Sequence, residues 1–542
     1  MMKKILLLVF ISMVTRCVAQ PTQSLKCISP APKVIDFPSI YITVEGRLNS
    51  VDKIPATYRL DGETGNCAIE LHGNSTLQVA KKSYDFSFRT VSSVHANGKF
   101  PGLPWTKDLL FISNFYDPSM MRNVVAYSTW EALGHRTPAF NFCHLYINEV
   151  YEGMYLVVEK IRSVDQLIDK SRWKPNNSNL SQPFFMRIDW ENEGDVPVPG
   201  MREYPIYAEM LDPKPYRSIP NYHAIQDYLE EMNEALSGNI QVRKDSLRYT
   251  DIIDVESFVD YFLLNEWAKN PDAYRSSVYF YTSEESKITM GPVWDFDLAF
   301  ANPLNPEDDA VEGWIYQKKL PESSMKTMPT WWYNLMCDPL FRDLCVKRMD
   351  QLEVWLNSEE FKALIHTYSE GIDAKLTLEI KRWGRASEFS AVPGPLSKSN
   401  EEEVLEILDF LRKRLVWMKA NLFNQQCISP FAVMAEYEGY SSIPANELER
   451  SFTVEFGMDL SSGLRMPGSR YQYYSGFTYV LLDDRGTERS SGAVSGTKMT
   501  LSYDGWGSGA YYLIVTENGH NSFLATSAPI LTRQFMYKLV VP

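Results

Sequence analysis

The run "KNPDAYRSSVYFYTSEESKITMGPVWDFDLAF", residues 269–300, sets two short strand-like segments, 278–283 and 287–290, between three carboxylates. Asp272 comes first, on a loop opened by Pro271. Asp295 and Asp297 come after the hairpin, just past the Gly291–Pro292 break and among aromatic residues. A carboxylate in a segment suited to burial needs a cation, a hydrogen-bonding partner or water, because leaving it bare costs several kcal/mol or shifts its pKa. On an extended chain, side chains at i and i+2 share a face. Asp295 and Asp297 are therefore expected to face one site, while Trp294, Phe296 and Leu298 pack the other way. A sparse Asp-x-Asp of this kind suits magnesium (or manganese), which takes one or two carboxylates and completes its shell with phosphate oxygens and water. The competing readings are an acidic pair salt-bridged to Lys or Arg, and an Asp272 that only caps the turn after Pro271.

Outward from this run, the chain shows three textures. Residues 36–160 read as strands broken by turns: "SIYITVEGRL", "CAIELHG", "SYDFSFRT" and a hairpin turning within Asn148 to Gly153. Residues 219–426 read as mainly helical. One helix is expected over 251–268, with Ile252, Val255, Val259, Phe262 and Leu263 on one face. Another is expected over 399–424, with Ser399 as N-cap, Glu402 at N3 and a stripe of Leu405, Leu408, Leu411, Leu415 and Leu422. From about 430 to the end, short alternating strands predict a small antiparallel β-sandwich, structural or serving glycan binding or surface attachment. The fold class is α+β, with a main domain over 21–426 and the β-domain over 427–542.

The first twenty residues, with Lys3 and Lys4, an apolar Ile5–Val14 and small residues Cys17 and Ala19, predict a signal peptide cut near Ala19 or Gln20. A lipoprotein anchor at Cys17 is the alternative, against which Arg16 stands. The expected location is secreted or extracytoplasmic, in a periplasm or on a cell surface. Removing Lys3, Lys4 and Arg16 moves the net charge from −14 to −17, a poor match to nucleic acid or anionic membranes. No other apolar run is long enough to span a bilayer. Of the six remaining cysteines, Cys27 and Cys427 could form a staple, whereas Cys67 and Cys143 sit in strand-like runs that suit either a disulfide or a buried thiol. No Cys-x-x-Cys or close Cys/His set points to zinc.

A loop acid, a hairpin and a metal-type Asp follow one another here in the order protein kinases use. Four motifs carry a more specific likeness: "HGNSTLQVAKKSYDFSF" (72–88), "LLFISNFYDPSMMRNVVAYSTWEALG" (109–134), "YINEVYEGMYLVVEKI" (146–161) and "GPVWDFDLAF" (291–300). In this order they resemble the CotH kinases, atypical relatives of protein kinases named for a spore-coat protein. The resemblance implies an atypical protein-kinase-like domain that binds ATP with Mg²⁺ or Mn²⁺. It implies Asp272 as catalytic base, and Asp295 with Asp297 as metal ligands. It implies Lys81 or Lys82 on the nucleotide phosphates, with Lys82 sharing a face with Tyr84 and Phe86. Glu159 either faces the nucleotide or is an exposed acid paired with Lys160 or Arg162. Asn74 and Asn123 belong to the motifs and double as turn or cap residues; Arg122 doubles as a surface salt bridge.

Three positions depart from the family pattern. His72 replaces an Arg, Glu149 stands where Gly is usual, and the Asp272 loop lacks the Asn that serves kinases as a second metal ligand, leaving Ser276 or Ser277 to hold a water instead. The expected function is a secreted, Mg-dependent kinase that phosphorylates hydroxyls of surface or secreted proteins. The alternative is a non-catalytic pseudokinase that binds a surface partner. A sugar-nucleotide transferase using the Asp-x-Asp fits less well, because the hairpin between the acids does not suit a doubly wound nucleotide domain.

Overall fold

The computed structural model describes residues 37–422, apart from 176–179, 190–195, 199–205, 214–221, 237–248, 303–309, 319–328 and 384–398. Beyond these it describes 441–444, 451–455, 473–483, 488–494, 498–506, 509–521 and 532–541. The expected leader, the boundary at 426/427, Cys27 and Cys427 lie outside the described residues. Helices and strands are both abundant, and the fold is α+β.

The first part closes a barrel from β1 (Ser39–Val44), β2 (Ile54–Leu60), β3 (Glu63–His72), β4 (Ser83–Arg89), β5 (Asp108–Ile112), β6 (Phe140–Ile147) and β7 (Val150–Glu159), with helix α1 (Arg122–Ala132) between β5 and β6. The order is β1-β2-β3-β4-β5-β7-β6, and β6 closes the ring by pairing with β1 in parallel, Tyr41 opposite Tyr146. Alternation fills it: Ile69, Phe86, Leu109 and Phe111 face inward. One pleat away, Glu70, Asp85 and Leu110 stand opposite one another across β3, β4 and β5 and line a cleft. The β6–β7 turn is tighter than expected. It has two residues, Asn148 and Glu149, both at positive φ, and the Asn148 side chain bonds both the N–H and the C=O of Val44. Cys67 and Cys143 are buried free thiols in this barrel.

The second part begins with β8 (Phe185–Ile188), β9 (Val196–Val198) and β10 (Ile206–Asp212), then α2 (Tyr222–Leu236), α3 (Tyr249–Ile252), α4 (Val255–Ala268), β11 (Val278–Thr282) and β12 (Ile288–Met290). The five strands form an antiparallel sheet in the order β12-β11-β8-β10-β9. The helix expected over 251–268 is two helices. The chain leaves α3 at Ile252, Ile253 bridges to Ile288, and Asp254 caps α4 through the Ser257 N–H. Helix α4 is buried almost all round, so its one expected stripe understates its packing: Phe258, Tyr261, Leu264 and Trp267 are as enclosed as Phe262.

Helices α5 (Thr330–Cys337), α6 (Pro339–Asn357), α7 (Glu359–Asp373), α8 (Leu376–Trp383) and α9 (Asn400–Asn421) follow. Ser399 and Glu402 form the expected capping box of α9. Its inner face keeps Leu411, Leu415 and Leu422 of the expected stripe and adds Val404, Ile407 and Met418, whereas Leu408 is only partly buried and Leu405 is 54% exposed. Arg414 on that face pairs with Glu266 of α4, both fully enclosed, and its Nε donates to the Glu266 carbonyl.

The last part has β13 (Ser441–Pro444), β14 (Ser451–Glu455), β15 (Tyr473–Asp483), β16 (Glu488–Val494), β17 (Lys498–Ser502), β18 (Gly509–Asn521) and β19 (Thr532–Val541). These give a five-stranded sheet, β13-β19-β18-β15-β16, and a two-stranded one, β14-β17. The β13–β19 pairing is parallel, so the strands are not all antiparallel as expected.

Candidate active site

Between the barrel's β3–β4–β5 face and the β8–β11 sheet lies a cleft of ≈ 1860 Å³, into which Asp272, Asp295 and Asp297 all open. Each is set by local chain chemistry. Helix α4 ends at a left-handed Lys269, Asn270 bonds back to Asn265, and the Asn270 side chain accepts the Asp272 N–H at 3.1 Å. Pro271 and this Asx contact hold Asp272 half-exposed at the cleft wall. Hairpin β11–β12 then returns the chain, as the sequence predicts, to the acidic pair.

The pair itself is not built on a strand. Asp295 is left-handed, at φ 66, and the chain turns at 297–298. The two carboxylates meet and hydrogen-bond each other. However, Trp294 and Leu298 line the same cleft instead of packing away, and of the three apolar neighbours only Phe296 is buried. The pleat argument fails because helix α1 holds this segment from behind. Asn123 accepts the Phe296 N–H at 2.9 Å, Tyr127 Oη hydrogen-bonds the Asp295 backbone, and Arg122 donates to Ala299 O at 3.0 Å and to Phe300 O at 3.4 Å. Arg122 is 1% exposed and paired with the enclosed Asp117 at 2.6 Å, a buried clamp and not a surface salt bridge. Gly291, at φ 106, lets the chain pass Trp130, where a Cβ would come within 2.8 Å of the ring.

Burial, with the charge of Asp272 beside it, pushes the Asp295 carboxyl up to about 6. Burial again, then Asp295 and Asp117, hold Asp297 well above the usual carboxylate range. Ser277 Oγ donates to Asp295 Oδ2 at 3.2 Å and opposes the rise. Such a pair holds either a shared proton or a cation. Its hard oxygen donors fit magnesium. Among the described residues no three His, Cys, Asp or Glu side chains are close enough to hold a metal by themselves, so any ion here would take the rest of its shell from a substrate and water.

The cleft is acidic. Its lining carries eight carboxylates (Glu70, Asp85, Asp189, Glu209, Asp212, Asp272, Asp295, Asp297) against five cations (Lys160, Arg162, Arg187, Arg275, Lys318). Lys160 and Arg162 converge with Lys53 on Asp85, whose carboxyl is carried down to about 2 by Lys160 and Lys53 against the cost of its burial. Arg187 lies opposite Tyr279 in the β8–β11 ladder and pairs with Glu209 at 2.6 Å and Asp189 at 3.5 Å.

The remaining expected residues lie elsewhere. Lys81 is 2% exposed, bonded at 2.7 Å to both Glu379 of α8 and the Met154 carbonyl. Lys82 reaches back to the Leu77 and Val79 carbonyls, each at 2.6 Å. Glu159 is 5% exposed and pairs with Arg136 at 2.6 Å, not with Lys160 or Arg162. None of the three lines the cleft, while Asn74 does. Lys160 was named in the sequence only as a partner for Glu159, and Tyr127, Arg187 and Asp189 were not singled out. The last two had a signal, since Arg187 and Asp189 alternate in "FFMRID" as a strand places them on one face.

Two comparisons bear on this geometry. The chain is similar to the inner spore coat protein H of Bacillus subtilis (strain 168), at 21% identity over 267 residues, which cover 48% of this chain and 66% of that protein. Residues 69–418, which hold the barrel from β3 onward, the cleft and nearly all of α9, match the family described as CotH kinase protein, and the chain belongs to that family.

Proposed function

We propose that the protein transfers the γ-phosphoryl group of ATP, with magnesium, to a hydroxyl of a secreted or cell-surface protein, and that the barrel and helical parts together act as an atypical protein-kinase-like unit. The observation that carries this reading is the convergence of Asp272, Asp295 and Asp297 on one cleft, with charge coupling among all three. Asp272, held by Asn270 and half-exposed, takes the proton of the acceptor hydroxyl. Asp295 and Asp297 are the residues that would hold magnesium, which would offset phosphate charge in an otherwise acidic cleft. Lys160 and Arg162 from the barrel side and Arg187 from the sheet side supply the cations for the phosphates, a part the sequence had given to Lys81 or Lys82. The charge balance of the lining favours nucleotide binding with a divalent ion over binding without one, since four phosphate charges and a net acidic wall repel each other.

A second reading is favoured by one observation: Lys160, Arg162, Arg187 and Arg275 are each paired with a carboxylate. A cleft so neutralised suits binding without transfer. Incorporation of labelled phosphate from ATP, with magnesium or manganese, separates the two when wild type is compared with Asp272→Ala and Asp295→Ala. Incorporation that is lost in both folded variants supports transfer. A metal-dependent rise in melting temperature with ATP, but no incorporation into itself or into added secreted proteins, supports the second reading.

A further inference from the structure

Asn114 follows β5 in the motif "NFYDPSMMRN" and has no part in the chemistry above. It lines the cleft, is 4% exposed, and both atoms of its side-chain amide are buried without a hydrogen-bond partner. Its backbone is left-handed, at φ 49, and its carbonyl accepts the Asp117 N–H at 3.1 Å. A buried amide with neither donor nor acceptor satisfied forfeits the whole of its hydration, and such groups are rare in native proteins unless something else completes them.

We infer that Asn114 is a nucleotide-contacting residue, its Nδ2 donating to a phosphate oxygen of the bound nucleotide. This rests on the reading of the cleft as an ATP site. The placement is what singles out the phosphate end. The segment that carries Asn114 runs directly to the metal-side acids: Tyr116 senses the Asp297 charge, its carbonyl accepts from Asn302, and Asp117 stands close enough to Asp297 to raise that carboxyl. The loop after Asp272 has no asparagine. Asn114 brings a carboxamide to the same cleft from the barrel side, and a phosphate oxygen is the acceptor that a lone amide donor there lacks.

The test uses Asn114→Gly in the full chain, since glycine accepts φ 49 and removes the amide together with its methylene. Dissociation constants for ATP, ADP and adenosine with magnesium, and the melting temperature without ligand, are measured for both proteins. The expected result is an ATP affinity lowered about 10- to 100-fold, the range of a hydrogen bond to a charged group, with adenosine affinity unchanged. The unliganded variant should melt close to wild type, because shedding an unsatisfied buried group offsets the chain entropy that glycine adds. A residue with a merely structural role would lower the melting temperature and leave affinity alone, and that outcome overturns the inference. An equal loss for adenosine also overturns it, by placing the contact on base or ribose. Wild type that binds none of the three overturns the reading of the cleft and this inference with it, whereas ATP bound equally by both proteins overturns the inference alone.

Discussion

Asp295 and Asp297 on one side, and Lys81 and Lys82 on the other, are two charged pairs with opposite outcomes. Both stand in motif-like sequence, and both are expected at the same nucleotide. The acids reach the cleft and the lysines do not. A carboxylate has a short stem, so the backbone that carries it fixes where its charge lies, and "GPVWDFD" is fixed by a glycine turn and by α1 behind it. A lysine carries its charge at the end of four methylenes and takes whichever acceptor is nearest in space. For Lys81 that acceptor is Glu379, 298 residues later, and for Lys82 it is two carbonyls of its own loop. Short acids thus report a site's position from local sequence, and long cations do not.

The sharpest way to break this comparison is catalytic. Asp272→Ala and Asp295→Ala should each lower phosphate incorporation about 10²–10⁴-fold, the range removed with a general base or its equivalent. Lys82→Ala should leave incorporation nearly as it was, because its ammonium serves Leu77 and Val79 and not the cleft. Loss of activity in Lys82→Ala equal to that in Asp295→Ala, in a folded protein, would return the phosphate role to that lysine and undo the contrast.

Next in size is the support behind the acids. Arg122→Met leaves Asp117 buried without its cation and frees the Ala299 and Phe300 carbonyls, so unfolding free energy should fall by about 3–5 kcal/mol. Urea titration measures it. A change below 1 kcal/mol, about what an exposed pair contributes, would mean that the clamp is the surface bridge the sequence suggested.

The same distinction between local and distant information runs through the fold. Strands β1, β3, β4, β6 and β7, the β11–β12 hairpin and the α9 capping box were legible, because alternation and caps are properties of a few neighbouring residues. The barrel closure by β1 against β6 was not, since a parallel contact across 105 residues, as from Tyr41 to Tyr146, leaves no local trace. The split of the helix over 251–268 was missed for another reason: Asp254 is a good N-cap, but the apolar pattern runs through it unbroken. At the site, the three acids were readable and the cations were not. Asn123 and Arg122 were noticed as motif members, yet what they hold became visible only once residues 294–300 lay beside α1. On α9 the stripe was right at Leu411, Leu415 and Leu422 and wrong at Leu405, which gives a paired measurement. Leu411→Ala should cost roughly 2–5 kcal/mol and Leu405→Ala less than about 0.5, by thermal or urea melts. Equal costs would reject the inner face described here.

The smallest effect tests whether the cleft decides the charge of a residue that sequence would have left ambiguous. His72 ends β3 at the cleft wall, where a permanent cation is usual in the family. Its imidazole is drawn down to about 4, first by burial and next by Lys160, with Arg187 and Lys53 adding to this and Asp85 opposing it. The ordinary value is near 6.5, so between about pH 4 and 6.5 the unfolded chain binds a proton that the folded chain refuses. The contribution of His72 to stability is therefore whole above 6.5, falls as the solution is acidified, and is spent below about 4. A half-buried ring limits it to on the order of 1–3 kcal/mol. Unfolding free energies of wild type and His72→Gln at pH 7, 5.5 and 4.5 should diverge, with wild type losing more at each step. Parallel curves would mean that His72 titrates as it does in water, and that the cations around Asp85 leave the ring's charge to the solvent.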